Sequence, residues 1–319
     1  MTKPQNIIAQ IDKNVKKKQW ECLVDDCSET AINSHLIQQN GILSNISIKG
    51  HLVELKMVDA YKWDKKKSPI EFRSVGISQA LTHKVFCNTH DTNIFKPIEN
   101  TKANFESYES FLLFSYRAIC AEISKKRLAI EKYTRLINAN TLIGKIDKEP
   151  LKLVVKGNEL GIKDLNALKK ELENEIKSNS KMFTYFIYKY PKIPVYASAV
   201  FSATDLDFQR EDGALDLENI YIHILPLTEE TLILVGYHNK YASKDTQKYC
   251  HSWEKLSDKE LEFKLTGLFV SNIENWGISP DYFEKIQVKK KEKYIELLRK
   301  NISYYGVSQE ADFNFFEVK

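Results

Sequence analysis

Glycine and proline are scarce in this sequence of 319 residues, which contains 11 glycines and 8 prolines. Their scarcity favours long regular elements over a loop-rich fold. No window approaches about 18 consecutive uncharged apolar residues, so the sequence predicts no membrane span. The start of the chain also lacks the apolar core of a signal peptide, and we therefore expect a cytoplasmic protein.

Cysteine is also sparse, with five residues in the chain. An odd number at this low density does not suit a disulfide scaffold. We expect reduced thiols, some of them on a metal.

Several familiar functional motifs are missing as well. The sequence has neither a glycine-rich phosphate loop nor a Gly-x-Ser-x-Gly elbow, which argues against an NTPase, a dinucleotide enzyme and an α/β-hydrolase. Its 43% hydrophobic and 28% charged residues are an ordinary globular mixture, unlike those of a disordered or fibrous chain.

The net charge of +4 is small but unevenly distributed. Residues 1–103 contain 15 basic and 11 acidic side chains, whereas the remainder is balanced. A local positive excess can attract phosphates in a salt-dependent way, but charge alone favours the alternative of a solubilising surface.

Hydrophobic patterning divides the chain into three segments and predicts an α+β protein. Residues 1–103 form a compact segment with an inserted β-hairpin, from strands at 51–58 and 70–77. Residues 104–190 read as a long helical hairpin, with its second helix at 163–178 after a loop around 146–161. Residues 191–319 read as an α+β domain with strands within 193–203 and 219–238 and two closing helices.

Four residues in the first segment form two short pairs, Cys22 with Cys27 and Cys87 with His90. Two such pairs in tight turns provide the four ligands of a tetrahedral zinc site, and soft thiolates with one imidazole favour Zn²⁺ over Mg²⁺ or Ca²⁺. The alternative is buried free thiols with a surface histidine.

Around these pairs, residues 20–99 resemble a treble-clef zinc domain of the HNH-endonuclease kind. The phrase AINSHLIQ after Cys27 places His35 at the position of that family's water-activating histidine. Asp91 stands where the family has a closing metal-binding histidine. The resemblance therefore implies general-base catalysis by His35, with Asp91 holding a second divalent cation such as Mg²⁺ on a scissile phosphate.

The segment departs from the family pattern at three of these positions. Ser34 replaces the usual aspartate, Gln38 replaces a proline and Asp91 replaces the histidine. An insertion carrying the predicted hairpin also separates the two halves. Such a module could be an active nuclease or a scaffold that only folds or binds, and His35 could instead hydrogen-bond a zinc ligand.

Two lysine clusters are candidate contacts to a nucleic-acid backbone. One ends the predicted first helix and the other lies at the tip of the inserted hairpin; they comprise Lys16, Lys17, Lys18, Lys65, Lys66 and Lys67. Elsewhere, Arg117 and Glu122 share the long helix, and they could pair along it or face another helix.

The leading hypothesis is a zinc-stabilised protein that binds DNA or RNA, with HNH-like hydrolysis as an extension. The resemblance to HNH nucleases also implies a bacterial mobile-element or phage-defence context, because degenerate modules of that kind often occur in such proteins. The competing hypothesis is a non-enzymatic interaction or sensor protein whose zinc is purely structural.

Overall fold

The computed structural model describes residues 3–65, 68–100, 102–202, 214–303 and 310–318. Within these ranges the chain forms helices and one large sheet, and the predicted α+β class is confirmed. The helices are α1 (Pro4–Lys17), α2 (Asn88–Glu99), α3 (Tyr108–Asn138), α4 (Glu149–Ser178), α5 (Lys244–His251), α6 (Asp258–Ser271), α7 (Pro280–Lys285) and α8 (Val288–Ser303). The strands are β1 (Asn33–His35), β2 (His51–Met57), β3 (Ile70–Gly76), β4 (Thr82–Lys84), β5 (Phe183–Pro191), β6 (Val195–Ser202), β7 (Asn219–Pro226), β8 (Glu230–His238) and β9 (Trp276–Ile278).

Seven strands form an antiparallel sheet in the order β3-β2-β9-β6-β7-β8-β5. Alternate residues of β6 enter two different cores: Tyr196 and Val200 lie on one side, whereas Val195 and Ala197 lie on the other. Both faces of the central strands are therefore covered. Their near-continuous apolar sequence follows from this, because neither face is left for water.

Helices α3 and α4 cover one face of the sheet, and α5, α6 and α8 contribute to the core on the other. On the second face, the ring of Phe269 in α6 stacks on Trp276 of β9 at a centroid distance of 4.4 Å. The three-residue β9 is thus held by aromatic packing as well as by its backbone pairs.

Helices α3 and α4 pack as the predicted antiparallel hairpin, but α4 begins at Glu149, well before the expected start at Lys163. Gly157 and Gly161 favour a loop in this stretch when the sequence is considered alone. Packing outweighs the low helix propensity of glycine. A Cβ at Gly161 would approach the Lys126 side chain of α3 to 2.9 Å, so glycine leaves room for the end of this flexible side chain between the helices.

The inserted hairpin β2–β3 belongs to the same sheet as the strands that follow residue 191. Val53 pairs with Ile278, and Glu54 pairs with Gly277. The segment boundaries at residues 103 and 190 remain predictions. Across the described ranges, no helix combines the length and apolarity needed to span a membrane.

Candidate metal centre

The first half of the centre is a tight loop between Cys22 and Cys27, here called the knuckle. The amide of Cys27 donates to the carbonyl of Val24 at 3.2 Å, and the amide of Cys22 donates to the carbonyl of Glu29 at 2.9 Å. Asp26 has a φ of 61°, in the left-handed region that aspartate tolerates better than most residues. These bonds turn the chain sharply enough to bring both thiols to one side.

A short two-stranded sheet connects the knuckle to the second half of the centre. Asn33 and His35 of β1 pair with Lys84 and Thr82 of β4. The amide of Leu23 also donates to the carbonyl of Val85 at 2.9 Å. The chain segments that lead to Cys22 and to Cys87 are thus held side by side, although they are far apart in sequence.

Helix α2 supplies the other two candidate ligands. Cys87 occupies its N-cap position and His90 lies in its first turn, where the amide of Asp91 donates to the carbonyl of Cys87 at 2.9 Å. One helical turn thus places the thiol and the imidazole next to each other.

The four side chains converge, with their ligand atoms all within 4.8 Å of one another. His90 Nδ1 lies 3.5 Å from Cys22 Sγ and 3.3 Å from Cys87 Sγ, while the sulfurs of Cys27 and Cys87 are 3.9 Å apart. Zinc–ligand bonds of about 2.0 to 2.3 Å at tetrahedral angles require spacings of about 3.5 to 3.8 Å between ligand atoms. The cluster could therefore hold a metal ion, and none of its cysteines is in a disulfide.

Burial and hydrogen bonding shift the pKa values of Cys22 and Cys87 in opposite directions. Burial raises the pKa of Cys22 to about 11. Burial also acts on Cys87, but the backbone amide of His90 and the neighbouring thiols lower its pKa below the ordinary value. A bound cation would supply the charge that the Cys22 thiolate needs in this buried position.

His35 and Asp91 lie beside the cluster, at the end of β1 and in the first turn of α2. His35 Nε2 is 3.3 Å from the carbonyl oxygen of Ile77, which can only accept, so this nitrogen carries a proton. Burial raises the pKa of Asp91, while Arg117, the Ser34 hydroxyl and the His35 imidazole act to lower it. The two candidate catalytic side chains thus interact electrostatically.

Two side chains, Gln38 and Arg117, contact helix α2 near the candidate site. Gln38 Nε2 donates to the carbonyl of Glu99 at the end of α2, at 2.8 Å. Arg117 lies 3.6 Å from Asp91 Oδ1 and 2.5 Å from Glu99 Oε1, measured from its two terminal nitrogens. Arg117 thus faces α2, and Glu122 instead pairs with Lys125 at 2.9 Å.

The residues at this position do not fit the second divalent cation that the resemblance implies. Mg²⁺ requires an octahedral set of oxygen ligands. Here a buried guanidinium lies beside Asp91 and pairs with it. No step through Mg²⁺ follows from this arrangement.

The predicted basic residues that the structure describes lie on or next to two elements that contact each other. Lys16 and Lys17 are exposed at the end of α1, and the short helical turn that ends at exposed Lys65 packs against α1. Lys18 differs, because it pairs with Glu131 at 2.6 Å and lies 4.4 Å from the centre of the Trp20 ring. Lys66 and Lys67 lie outside the described residues.

Sequence reasoning missed two contacts around the centre. Lys169 of α4 pairs with Asp25 in the knuckle at 2.7 Å, and Arg117 pairs with Asp91. Arg117 is a single charge in an apolar helical face, and Lys169 is a buried lysine that also pairs with Glu173 one turn away; neither pattern identifies the partner on another element.

No family model matches this chain, and no curated protein or solved structure matches it significantly.

Proposed function

We propose that the N-terminal segment is a zinc-stabilised module that binds nucleic acid. The observation that carries this proposal is the convergence of Cys22, Cys27, Cys87 and His90 at spacings suited to tetrahedral Zn²⁺. Four protein ligands complete a tetrahedron and leave no open position. Zinc here is therefore structural and does not itself activate water.

The arrangement around the cluster supports the treble-clef resemblance. A knuckle, a β-hairpin and the first turn of a helix follow each other in chain order as the knuckle, β1–β4 and α2. The insertion between β1 and β4 leaves this arrangement intact, because its strands β2 and β3 join the large sheet instead.

Nucleic acid is the partner that the exposed lysines favour. Lys16, Lys17 and Lys65 lie on neighbouring elements, in the part of the chain that carries the whole charge excess. Ammonium groups on such a surface contact backbone phosphates and release counterions, which makes binding steeply salt-dependent.

The test is fluorescence-anisotropy titration of the zinc-loaded protein with labelled DNA and RNA over a range of salt concentrations. The variant with Lys16→Glu and Lys17→Glu is compared with a matched control, Lys285→Glu and Lys289→Glu, which changes two exposed lysines elsewhere. We expect the first variant to bind at least tenfold more weakly and to lower the salt slope by about 0.9 for each phosphate that the protein no longer neutralises. Equally weakened binding in the two variants, or no binding by the zinc-loaded protein, would contradict the proposal.

Hydrolysis by His35 is a second candidate, favoured by the hydrogen bond from Nε2 to the Ile77 carbonyl, which in the neutral ring leaves Nδ1 as the base. In this reaction Nδ1 takes a proton from water as the water oxygen bonds to phosphorus, and the ester oxygen leaves with the bond electrons. The assay compares cleavage of mixed DNA and RNA substrates by the wild type and His35→Ala. Equal activity in both proteins, or none in either, removes His35 from this role.

The non-enzymatic alternative makes a different prediction from the same zinc site. An interaction or sensor protein would hold zinc and lose its fold without it, yet show no salt-dependent affinity for DNA or RNA. The anisotropy titration therefore separates the two classes.

A further inference from the structure

Arg117 is the one charged residue in a run of α3 that is otherwise apolar or small, from Ser110 to Ala121. The whole run is buried, and the Arg117 side chain is 3% exposed. A permanently charged guanidinium is costly in such surroundings unless it is paired. Its burial therefore requires partners of opposite charge, and these lie on α2.

On α2 it meets one face, formed by Asp91, Phe95 and Glu99 at intervals of four residues. The guanidinium carbon lies 3.9 Å from the centre of the Phe95 ring. Its terminal nitrogens reach Glu99 Oε1 at 2.5 Å and Asp91 Oδ1 at 3.6 Å. The cation thus bridges two carboxylates across an aromatic ring, along two turns of the helix.

We propose that Arg117 takes the place of the divalent cation at the His35–Asp91 site, so that this site binds neither Mg²⁺ nor Mn²⁺. The nucleic-acid binding proposed above, on which this inference rests for its functional meaning, then needs no divalent metal. Arg117 provides positive charge to both carboxylates from within the chain, to Glu99 through a hydrogen bond and to Asp91 through the longer ion pair alone. A metal ion there would lie within a few ångströms of a guanidinium that neither deprotonates nor, packed on Phe95, moves aside.

A divalent ion and Arg117 are therefore alternatives for the same carboxylates. Removing the guanidinium but keeping both carboxylates should create a metal site, whereas Arg117→Lys keeps a positive charge there and should not. The structure thus predicts that Arg117→Gln gains affinity for a divalent cation, whereas Arg117→Lys does not.

The test titrates zinc-loaded full-length protein with Mn²⁺ alone and measures free Mn²⁺ by electron paramagnetic resonance. We expect the wild type, Arg117→Lys and Asp91→Asn to leave millimolar Mn²⁺ free. Arg117→Gln should bind Mn²⁺ at least tenfold more tightly than the wild type, and adding Asp91→Asn should abolish the gain. Zinc content and circular dichroism establish that each variant is folded.

Two outcomes overturn the inference: Mn²⁺ retention by the wild type that Asp91→Asn removes, or a folded Arg117→Gln that gains no affinity. If Arg117→Gln does not fold, the comparison of the wild type with Asp91→Asn still decides. Anisotropy titrations with and without Mg²⁺ give a separate readout. Loss of all nucleic-acid binding contradicts the proposed function, whereas Mn²⁺ binding at Asp91 contradicts only this inference.

Discussion

Lys169 of α4 donates a hydrogen bond of 2.7 Å to Asp25, which lies between the two cysteines of the knuckle. The same ammonium group lies 2.9 Å from Glu173, and Glu173 accepts a hydrogen bond of 2.7 Å from the Tyr116 hydroxyl. One lysine therefore connects the knuckle to both helices of the hairpin. The metal centre is anchored to the body of the protein at a second point besides α2.

This ion pair predicts an asymmetric effect of substitution. Lys169→Met should lower the free energy of unfolding by about 3 kcal/mol, because it leaves Glu173 without its buried partner. Asp25→Asn should cost less than about 1 kcal/mol, since the Asp25 side chain is 63% exposed and asparagine can still accept. Urea denaturation monitored by circular dichroism measures both. Equal costs for the two variants would show that the pair is not organised as described.

Loss of the metal should remove the fold of the N-terminal segment. Structural zinc contributes on the order of 10 kcal/mol of apparent free energy to small sites, far more than such a segment can spare. Cys22→Ser should therefore lose one zinc per chain, together with far-ultraviolet ellipticity. Cys250→Ala is the matched control, because Cys250 is buried in the core on the other face of the sheet. A control that also lost zinc, or a folded zinc-free Cys22→Ser, would contradict the assignment.

Stability should fall as the pH is lowered, and His223 should account for part of the fall. Complete burial lowers the pKa of His223 to about 3, where its ring nitrogens lie 3.1 and 3.0 Å from the hydroxyls of Ser115 and Ser198. Below pH 6.5 the His223 imidazole is protonated in the unfolded chain but stays neutral in the folded chain, so acid favours unfolding. The cost is about 1.4 kcal/mol per pH unit down to pH 3, or about 2 kcal/mol between pH 7 and pH 5.

The measurement is urea denaturation of the wild type and His223→Gln at pH 7 and pH 5. The substitution should lower stability at pH 7 but reduce the pH dependence by about 2 kcal/mol. His51→Gln, at an exposed position, should keep the steep wild-type dependence. If His223→Gln keeps it as well, the buried imidazole is not the group responsible.

Two glycines should respond in opposite ways to the same substitution. A Cβ at Gly277 of β9 would collide with the Tyr196 hydroxyl, which donates to Glu54 at 2.8 Å. Gly277→Ala should therefore cost about 3 kcal/mol, from overpacking and from disruption of this hydrogen bond. Gly267 lies within α6 with open space around it, and Gly267→Ala should add about 0.5 to 1 kcal/mol. Thermal unfolding of both variants checks the sign of each change.

Much of the fold was predictable wherever a pattern repeated over enough residues. The strands at 51–57 and 70–76 and the turn between β7 and β8 lie where alternation and polar breaks predicted them. Strand β5 was missed although five of its nine residues are aromatic. Strand β9 has three residues, too few to show any period, and its pairing is set by tertiary packing.

In the candidate site, too, local features were predictable from the sequence, whereas contacts between elements were not. The spacing of Cys22 from Cys27 and of Cys87 from His90 is local, so the sequence predicted the convergence that the structure shows. The pairing of Arg117 with Asp91 and of Lys169 with Asp25 was not predictable, because these partners lie on other elements and are found only through packing. Charge alone shows that a buried ion needs a partner; the fold determines which one.

The pairing of β2 with β9 also sets an order for folding during synthesis. Strand β2 ends at Met57, whereas its neighbour β9 begins at Trp276, so the two leave the ribosome roughly 10 to 40 seconds apart at ordinary elongation rates. Cys22 and Cys27 emerge before that interval and Cys87 and His90 early in it, so all four candidate metal ligands are available well before β9. The candidate metal centre can therefore bind its ion before the sheet is complete. Until β9 is synthesised, the edge of β2 that later pairs with β9 remains unpaired.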